Sequence, residues 1–400
     1  MSRAPTSAEL LAPDLDREDV VPAWRTVAHE FAEHVLRPVG RALDPMDARE
    51  LIRPGSLLHE FLAEAYREGF TRLAMPRHGG GLGLSRREEC LVVEELATAD
   101  AGLTALLVVA PTPFRWAAEV GRPALEARLA TPYLSGERAD WIGCCALAGF
   151  AGPARATRAG DGWCLTGLTA PALAGAIATH ALVACTVDQG GAPVPALGVV
   201  ALDRRGVRRR PAGGAPGLLR RCRAALELDR VELAFDELVP VSCARSAELP
   251  GGGQAQAASA LVAFGIGRAA YEGALRWARE AVWSGDVPSA DAVARPQLAR
   301  MYTLLEATQA LVRSAFWSTE RVPGADAAAV AEQAHAASAF AAEAAFEVAA
   351  DVLRLCGATA PHGDVAFLDG SAFDPARLLR DARTAQPTTE EPDYGPCQDT

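Results

Sequence analysis

The residues that could carry chemistry fall into a few groupings. Gly265-Ile266-Gly267-Arg268-Ala269-Ala270 has the G-x-G-x-x-A spacing that lets a backbone approach a pyrophosphate. That use needs a strand before it and a βαβ unit around it, whereas the following residues read as helix, so the glycines are expected to serve close helix packing. His29-Glu30-Phe31-Ala32-Glu33-His34 places its histidines five apart. They diverge on a helix instead of sharing a face as an i, i+4 pair would, and are expected on the surface. His59, His78, His180, His335 and His362 are isolated in sequence and define no triad. The arginines Arg204, Arg205, Arg208, Arg209 and Arg210, with Arg220, Arg221 and Arg223, form a basic zone. It reads either as a solvated face or as a dock for phosphates or an acidic carrier protein. The chain has no lysine, which removes lysine Schiff bases, covalent pyridoxal phosphate and the P-loop lysine together. Cys144 and Cys145 are adjacent and no C-x-x-C pair occurs among the nine cysteines, so a zinc or thioredoxin-like site finds no support. Buried, reduced thiols are the expectation.

The elements that must position such residues follow from composition and period. Four hundred residues suggest two or three domains, and half the residues are hydrophobic, which fits a globular chain with a large core. No run of 18 uncharged apolar residues reads as a membrane span, and residues 1–25 are acidic and lack the apolar centre of a signal peptide. A cytoplasmic protein is expected. The net charge of −11 argues against nucleic acid as a partner.

From Val20 to Asp140 the apolar period is helical. Leu58, Phe61, Leu62 and Ala65 form one stripe with Gly69 as its stop, and Ser85 caps a helix through Glu95 and Leu96. From Trp141 to Arg245 short apolar runs take over. Leu226, Leu228, Val231, Leu233 and Phe235 alternate with acids around one extra residue, as in a strand pair or a bulged strand. From Gln254 the pattern is helical again. Val330, Ala334, Ala337, Ala341, Ala344, Val348 and Val352 form a small-residue stripe that Gly357 should end. The fold class expected is α+β, mostly α: a helical domain over 1–140, a β-domain over 141–250, a helical bundle over 251–386 and a loose tail over 387–400.

Local motifs sharpen this order. Met75-Pro76 with Gly79-Gly80-Gly81-Leu82-Gly83-Leu84-Ser85, then Glu94-Glu95-Leu96-Ala97, closely resembles the N-terminal domain of acyl-CoA dehydrogenases. Gly162-Trp163-Cys164-Leu165-Thr166-Gly167 is similar to that family's G-[YW]-x-L-N-G strand, Val231–Pro240 to its F-x-D-V-x-V-P segment, and Arg377–Arg383 to its R-L-x-R-D-A-[KR]. The matches run in the family's order along nearly the whole chain.

The resemblance implies FAD between the β-domain and the bundle, an acyl thioester on coenzyme A or a carrier protein, and a carboxylate base. It also implies a dimer or dimer of dimers through the bundle. The family's two base positions fall on Thr389 and Ala257, neither of which accepts a proton, while Glu390 and Glu391 stand beside the first. The Arg that contacts coenzyme A falls on Ala258. The flavin-contact positions fall on Leu147, Ala148, Pro171, Leu173, Ser284, Gly357 and Ala358, several without the family's residue. Three activities stay open at this point. One is α,β-desaturation of an acyl thioester; another is a flavin-dependent monooxygenase of the same fold. The third is a flavin-free scaffold, partner subunit or non-redox catalyst, pairing with a homologue.

Overall fold

The computed structural model describes residues 22–147, 154–188, 193–211, 217, 222–240, 253–282, 291–320, 327–356, 365–367 and 371–386. The chain opens with helices α1 (Pro22–Phe31), α2 (Arg37–Leu43), α3 (Ala48–Ile52) and α4 (Leu57–Arg67), α1 running into α2 through a wider turn at Ala32–Leu36. Leu58, Phe61, Leu62 and Ala65 are all buried on one side of α4. Gly69 then takes φ +91°, and the Phe70 amide donates back to the Ala65 carbonyl (2.9 Å). This left-handed stop favours glycine, as the sequence pattern anticipates.

Helices α5 (Arg86–Ala99), α6 (Ala101–Val109) and α7 (Thr112–Glu119) follow. Ser85 begins α5 with a capping box: its hydroxyl accepts from the Glu88 amide (3.3 Å), and Glu88 accepts in return from the Ser85 amide (2.8 Å).

Among the described residues eight strands form the middle of the chain: β1 (Gly143–Ala146), β2 (Arg155–Ala159), β3 (Gly162–Leu168), β4 (His180–Asp188), β5 (Val194–Ala201), β6 (Val207–Pro211), β7 (Ala224–Ala234) and β8 (Leu238–Pro240). Their order is β6-β7-β3-β2-β4-β5-β8, and β1 also pairs with β4, in parallel. The extra residue in the 226–235 alternation is a bulge. Against β3 the register jumps at Leu165/Gly167, and Arg230 adopts φ +52° to accommodate it. The bulge keeps Leu228, Val231 and Leu233 buried in one core.

The bundle consists of α8 (Gly253–Trp277), α9 (Asp291–Ser318) and α10 (Ala327–Cys356), followed by the hairpin strands β9 (Val365–Ala366) and β10 (Ala372–Phe373) and by α11 (Pro375–Ala385). The G-x-G pattern lies inside α8, where a side chain at Gly265 would come within 2.4 Å of Ala97 Cβ. Helices α5 and α8 therefore meet almost backbone to backbone, which accounts for the glycine without a nucleotide. The stripe Ala334, Ala337, Ala341, Ala344, Val348 and Val352 is buried as its spacing requires, while Gly357 lies outside the described residues. No helix among the described residues is long and apolar enough to cross a membrane.

A buried ion cluster ties α5 to the bundle. Arg313 of α9 donates to Glu94 from Nε (3.0 Å) and Nη2 (3.1 Å), and Gln309 donates to the same carboxylate (2.6 Å). Arg268 of α8 lies 3.6 Å from Glu94 and 3.5 Å from Glu95. Burial would pull the Arg268 guanidinium down, but Glu272, Glu95 and Glu94 outweigh it and hold its pKa up. Breaking such a pair from one side strands a buried charge. Arg313→Met is expected to cost about 3–5 kcal/mol of stability in urea melts. Adding Glu94→Gln should then restore much of that loss.

A second cluster fastens α11 to the N-terminal helices. Arg377 pairs with Asp100, and Arg380 with Asp44 (2.8 Å). Burial, and then the neighbouring Asp100 charge, push the Asp381 carboxyl up to about 7, against the opposing pull of Arg377. The folded state thus holds a proton on Asp381 that the unfolded chain, titrating near ~4, releases earlier. Stability from this group is full below the unfolded value and is lost as pH rises through about 7. Between pH ~5 and ~8 the wild type should lose on the order of 2 kcal/mol relative to Asp381→Asn, measured by denaturant titration at each pH.

Candidate functional site

The clusters hold three groups of elements around one cavity of about 850 Å³, a size suited to a small-molecule ligand. On α5 the lining residues are Arg86, Glu89 and Val93, spaced by three and four so that they share a face. The adjoining face, with Cys90, Glu94 and Ala97, is buried, Glu94 and Ala97 meeting the bundle. On α8 Ala255, Ala258, Ser259 and Val262 repeat the pattern. The sheet side contributes Cys145, Ala170, Pro171, Leu173 and Arg223. His335 and Ser338 of α10 and the end of α11, Thr384 to Gln386, complete the wall. Ala255, Ser259 and His335 are exposed, which marks the side open to solvent.

The lining mixes apolar and charged surface. Ala105, Val108, Val109, Pro171, Leu173 and Val262 offer hydrocarbon. Among the described residues Glu89 is the one carboxylate on the wall, and it is ion-paired to Arg86. Arg115, also on the wall, donates from Nε to Glu119 (2.9 Å). Burial lowers the Arg86 pKa; Glu89 opposes this, and the like charge of Arg115 adds to it. Burial pushes the Cys145 thiol up to about 12 against a hydrogen bond with Thr112, so it is no nucleophile near neutrality. The Gln256 side-chain oxygen Oε1 is buried on this wall with no hydrogen-bond partner among the described residues. No group of metal-ligating side chains forms among the described residues.

The residues singled out in sequence divide between several places. Pro171 and Leu173 line the cavity. Leu147 instead packs against the core shared by the sheet and the Tyr133 region. Ala257 is fully buried in the bundle core, while Ala258 reaches the cavity. Ala148, Ser284, Gly357, Ala358, Thr389, Glu390 and Glu391 lie outside the described residues. The arginine zone is partly engaged within the fold. Arg204 pairs with Glu237, Arg210 with Glu227, and Arg209 donates to the Ala178 carbonyl. Sequence reasoning missed Arg86, Glu89 and Arg115. The charged run after Ser85 was a signal of sorts, but such a run at a helix start ordinarily faces water.

Among curated proteins, none matches the sequence. Residues 21–137 match the acyl-CoA dehydrogenase N-terminal domain, and residues 254–388 match the acyl-CoA dehydrogenase C-terminal domain. Solved structures share the fold at low identity. Glutaryl-CoA dehydrogenase from Mycobacterium smegmatis is 20% identical with a TM-score of 0.74, over 96% of this chain and 94% of that one. Butyryl-CoA dehydrogenase from Megasphaera elsdenii is 20% identical with a TM-score of 0.73, over 94% of each. Dibenzothiophene monooxygenase from Paenibacillus sp. A11-2 is 22% identical with a TM-score of 0.71, over 91% of this chain and 92% of that one. With both terminal domains matched and the fold shared from end to end, this chain belongs to the acyl-CoA dehydrogenase family.

Proposed function

We propose that the protein is a flavin-dependent oxidoreductase that desaturates an acyl thioester between its α and β carbons, the acyl group being borne by coenzyme A or a carrier protein. The observation that carries this reading is the 850 Å³ cavity bounded by α5, α8, the sheet and the end of α11. Its apolar lining suits an acyl chain, and its open side suits a thioester whose carrier stays outside. Ala170, Pro171 and Leu173 offer flat apolar surface on the sheet side, and the Gln256 oxygen offers a buried acceptor. That set fits an aromatic ring with a polar edge. A flavin bound there would supply a hydride acceptor.

The chain itself must supply the base. Glu390 and Glu391 are the proposed residues, because Gln386 lines the cavity and Glu390 follows four positions later. That length spans at most ~14 Å, which keeps its carboxylate within range of the cavity. Glu89 is less suited, since Arg86 already occupies one of its oxygens. A homo-oligomer, or a pair with a homologue, is proposed through the bundle, where Phe340 on α10 is exposed.

A second reading follows from the same wall. With Glu89 tied to Arg86 as the single carboxylate among the described lining residues, a monooxygenase needing no α-proton base is the alternative.

Purified protein should show a flavin absorption band near ~450 nm, or gain it on titration with FAD or FMN. No band and no binding would retire both flavin readings in favour of a scaffold or non-redox role. In the loaded protein, Glu390→Gln with Glu391→Gln should slow acyl-CoA-dependent reduction by roughly 10²–10⁴-fold. Undiminished reduction would remove these two residues from the mechanism, and oxygen uptake driven by reduced flavin would select the monooxygenase.

A further inference from the structure

A cavity meant only for hydrocarbon would gain nothing from ionised side chains on its wall, because each must be desolvated. Here Arg86, Glu89 and Arg115 all line it, with Glu119 behind Arg115. The side chains of Arg86 and Arg115 are 9% and 16% exposed, so neither is a surface charge that happens to border a cleft. The four groups cancel in formal charge, but their hydrogen-bonding capacity does not cancel. Each guanidinium is a planar fork of several N–H donors. Arg86 donates from Nη1 to Glu89, and Arg115 donates from Nε to Glu119, one bond each. Both guanidinium-bearing residues line the cavity, and among the described residues each makes a single side-chain hydrogen bond. The mutual repulsion of the two arginines, which adds to burial in lowering the Arg86 pKa, would be relieved by an anion near both.

We propose that Arg86 and Arg115 form a carboxylate-binding subsite within the cavity, so that the preferred ligand is an acyl group ending in a second carboxylate. This rests on the cavity being the acyl site. A planar carboxylate matches the fork of a guanidinium and accepts two parallel N–H bonds. The phosphates of a coenzyme or carrier are bulky and strongly hydrated and belong at the open side, whereas this pair of arginines is enclosed. Thr112 and Thr319, also on the wall, spend their hydroxyl protons on the Val108 and Phe316 carbonyls, so the arginines are left as the donors. Phe316 packs under the Arg86 guanidinium, 5.8 Å from ring centre to charge, and limits its swing.

The test compares binding by calorimetry of adipyl-, 6-hydroxyhexanoyl- and hexanoyl-N-acetylcysteamine, which carry no phosphate, with hexanoyl-CoA. Wild type should bind the adipyl thioester roughly tenfold or more tightly than the other two small thioesters. Removing Arg86 alone would leave Glu89 buried without a partner, so the variant is Arg86→Met with Glu89→Gln, and its twin is Arg115→Met with Glu119→Gln. In each the adipyl preference should vanish while hexanoyl binding persists. Equal affinity for the hydroxyl and carboxylate ligands, a preference that survives both variants, or a variant-sensitive advantage confined to hexanoyl-CoA would overturn the subsite. Free hexanoate against hexanamide, which has no carboxylate, titrated in parallel, separates the two failures. An Arg86-dependent preference for hexanoate without thioester binding would keep the subsite and sink the acyl-thioester reading, and no preference in either series would end the proposal.

Discussion

The structure depends on the carboxylate of Glu94. It is buried between α5 and the bundle and is met by Arg313, Gln309 and Arg268 from two other helices. A carboxylate there without those donors would be prohibitively costly, whereas Arg268 would keep Glu95 and Glu272 without it. The cluster is therefore satisfied in only one docking of the N-terminal helices on the bundle. Gly265 against Ala97 lets the backbones approach closely enough for it to form. The α11 cluster of Arg377, Arg380, Asp44, Asp100 and Asp381 fixes the other end of the same junction. Apolar burial supplies most of the folding energy, but it is tolerant of sliding. These ion clusters supply the register that shapes the cavity between the parts.

Much of this was legible in the sequence where a local rule governs it. The Gly69 stop, the Ser85 cap, the bulge in β7 and the alanine stripe of α10 each depend on residues within a few positions of one another. Period and propensity report such features directly. The order of helical, sheet and bundle segments followed from the same signals, and the motif order gave the family. Glu94 and Arg313, more than two hundred residues apart, could not be paired this way. Glu94 was legible only as part of a motif, because burial of a charge is a tertiary fact.

The site was harder to read for the same reason. Matching by motif assigned Ala257 to a base position, yet one step around α8 decides whether a residue faces the bundle or the cavity. Ala258, and not Ala257, faces the cavity. A turn of about 100° per residue makes any single-position alignment in a helix a statement about direction. Pro171 and Leu173 flank Ala172, which is buried and bridged to Ala224 at the start of β7, and both line the cavity.

Helix α5 serves both the junction and the cavity. One face carries Glu94 and Ala97 into the bundle, and the adjoining face carries Arg86, Glu89 and Val93 to the cavity. Charges on a cavity wall tend to be lost unless the backbone that bears them is held by something stronger than their own pairing, since an unrestrained helix would rotate them into water. The Glu94 cluster resists that rotation. An apolar residue at Arg86 or Glu89 would fill the same space without desolvating an ion, and the fold already has the anchors it needs elsewhere. Glu89 in the first turn of α5 also meets the helix dipole and Arg86 lies over Phe316, so the pair is held locally, and the proposed carboxylate subsite would use donors that are already in place.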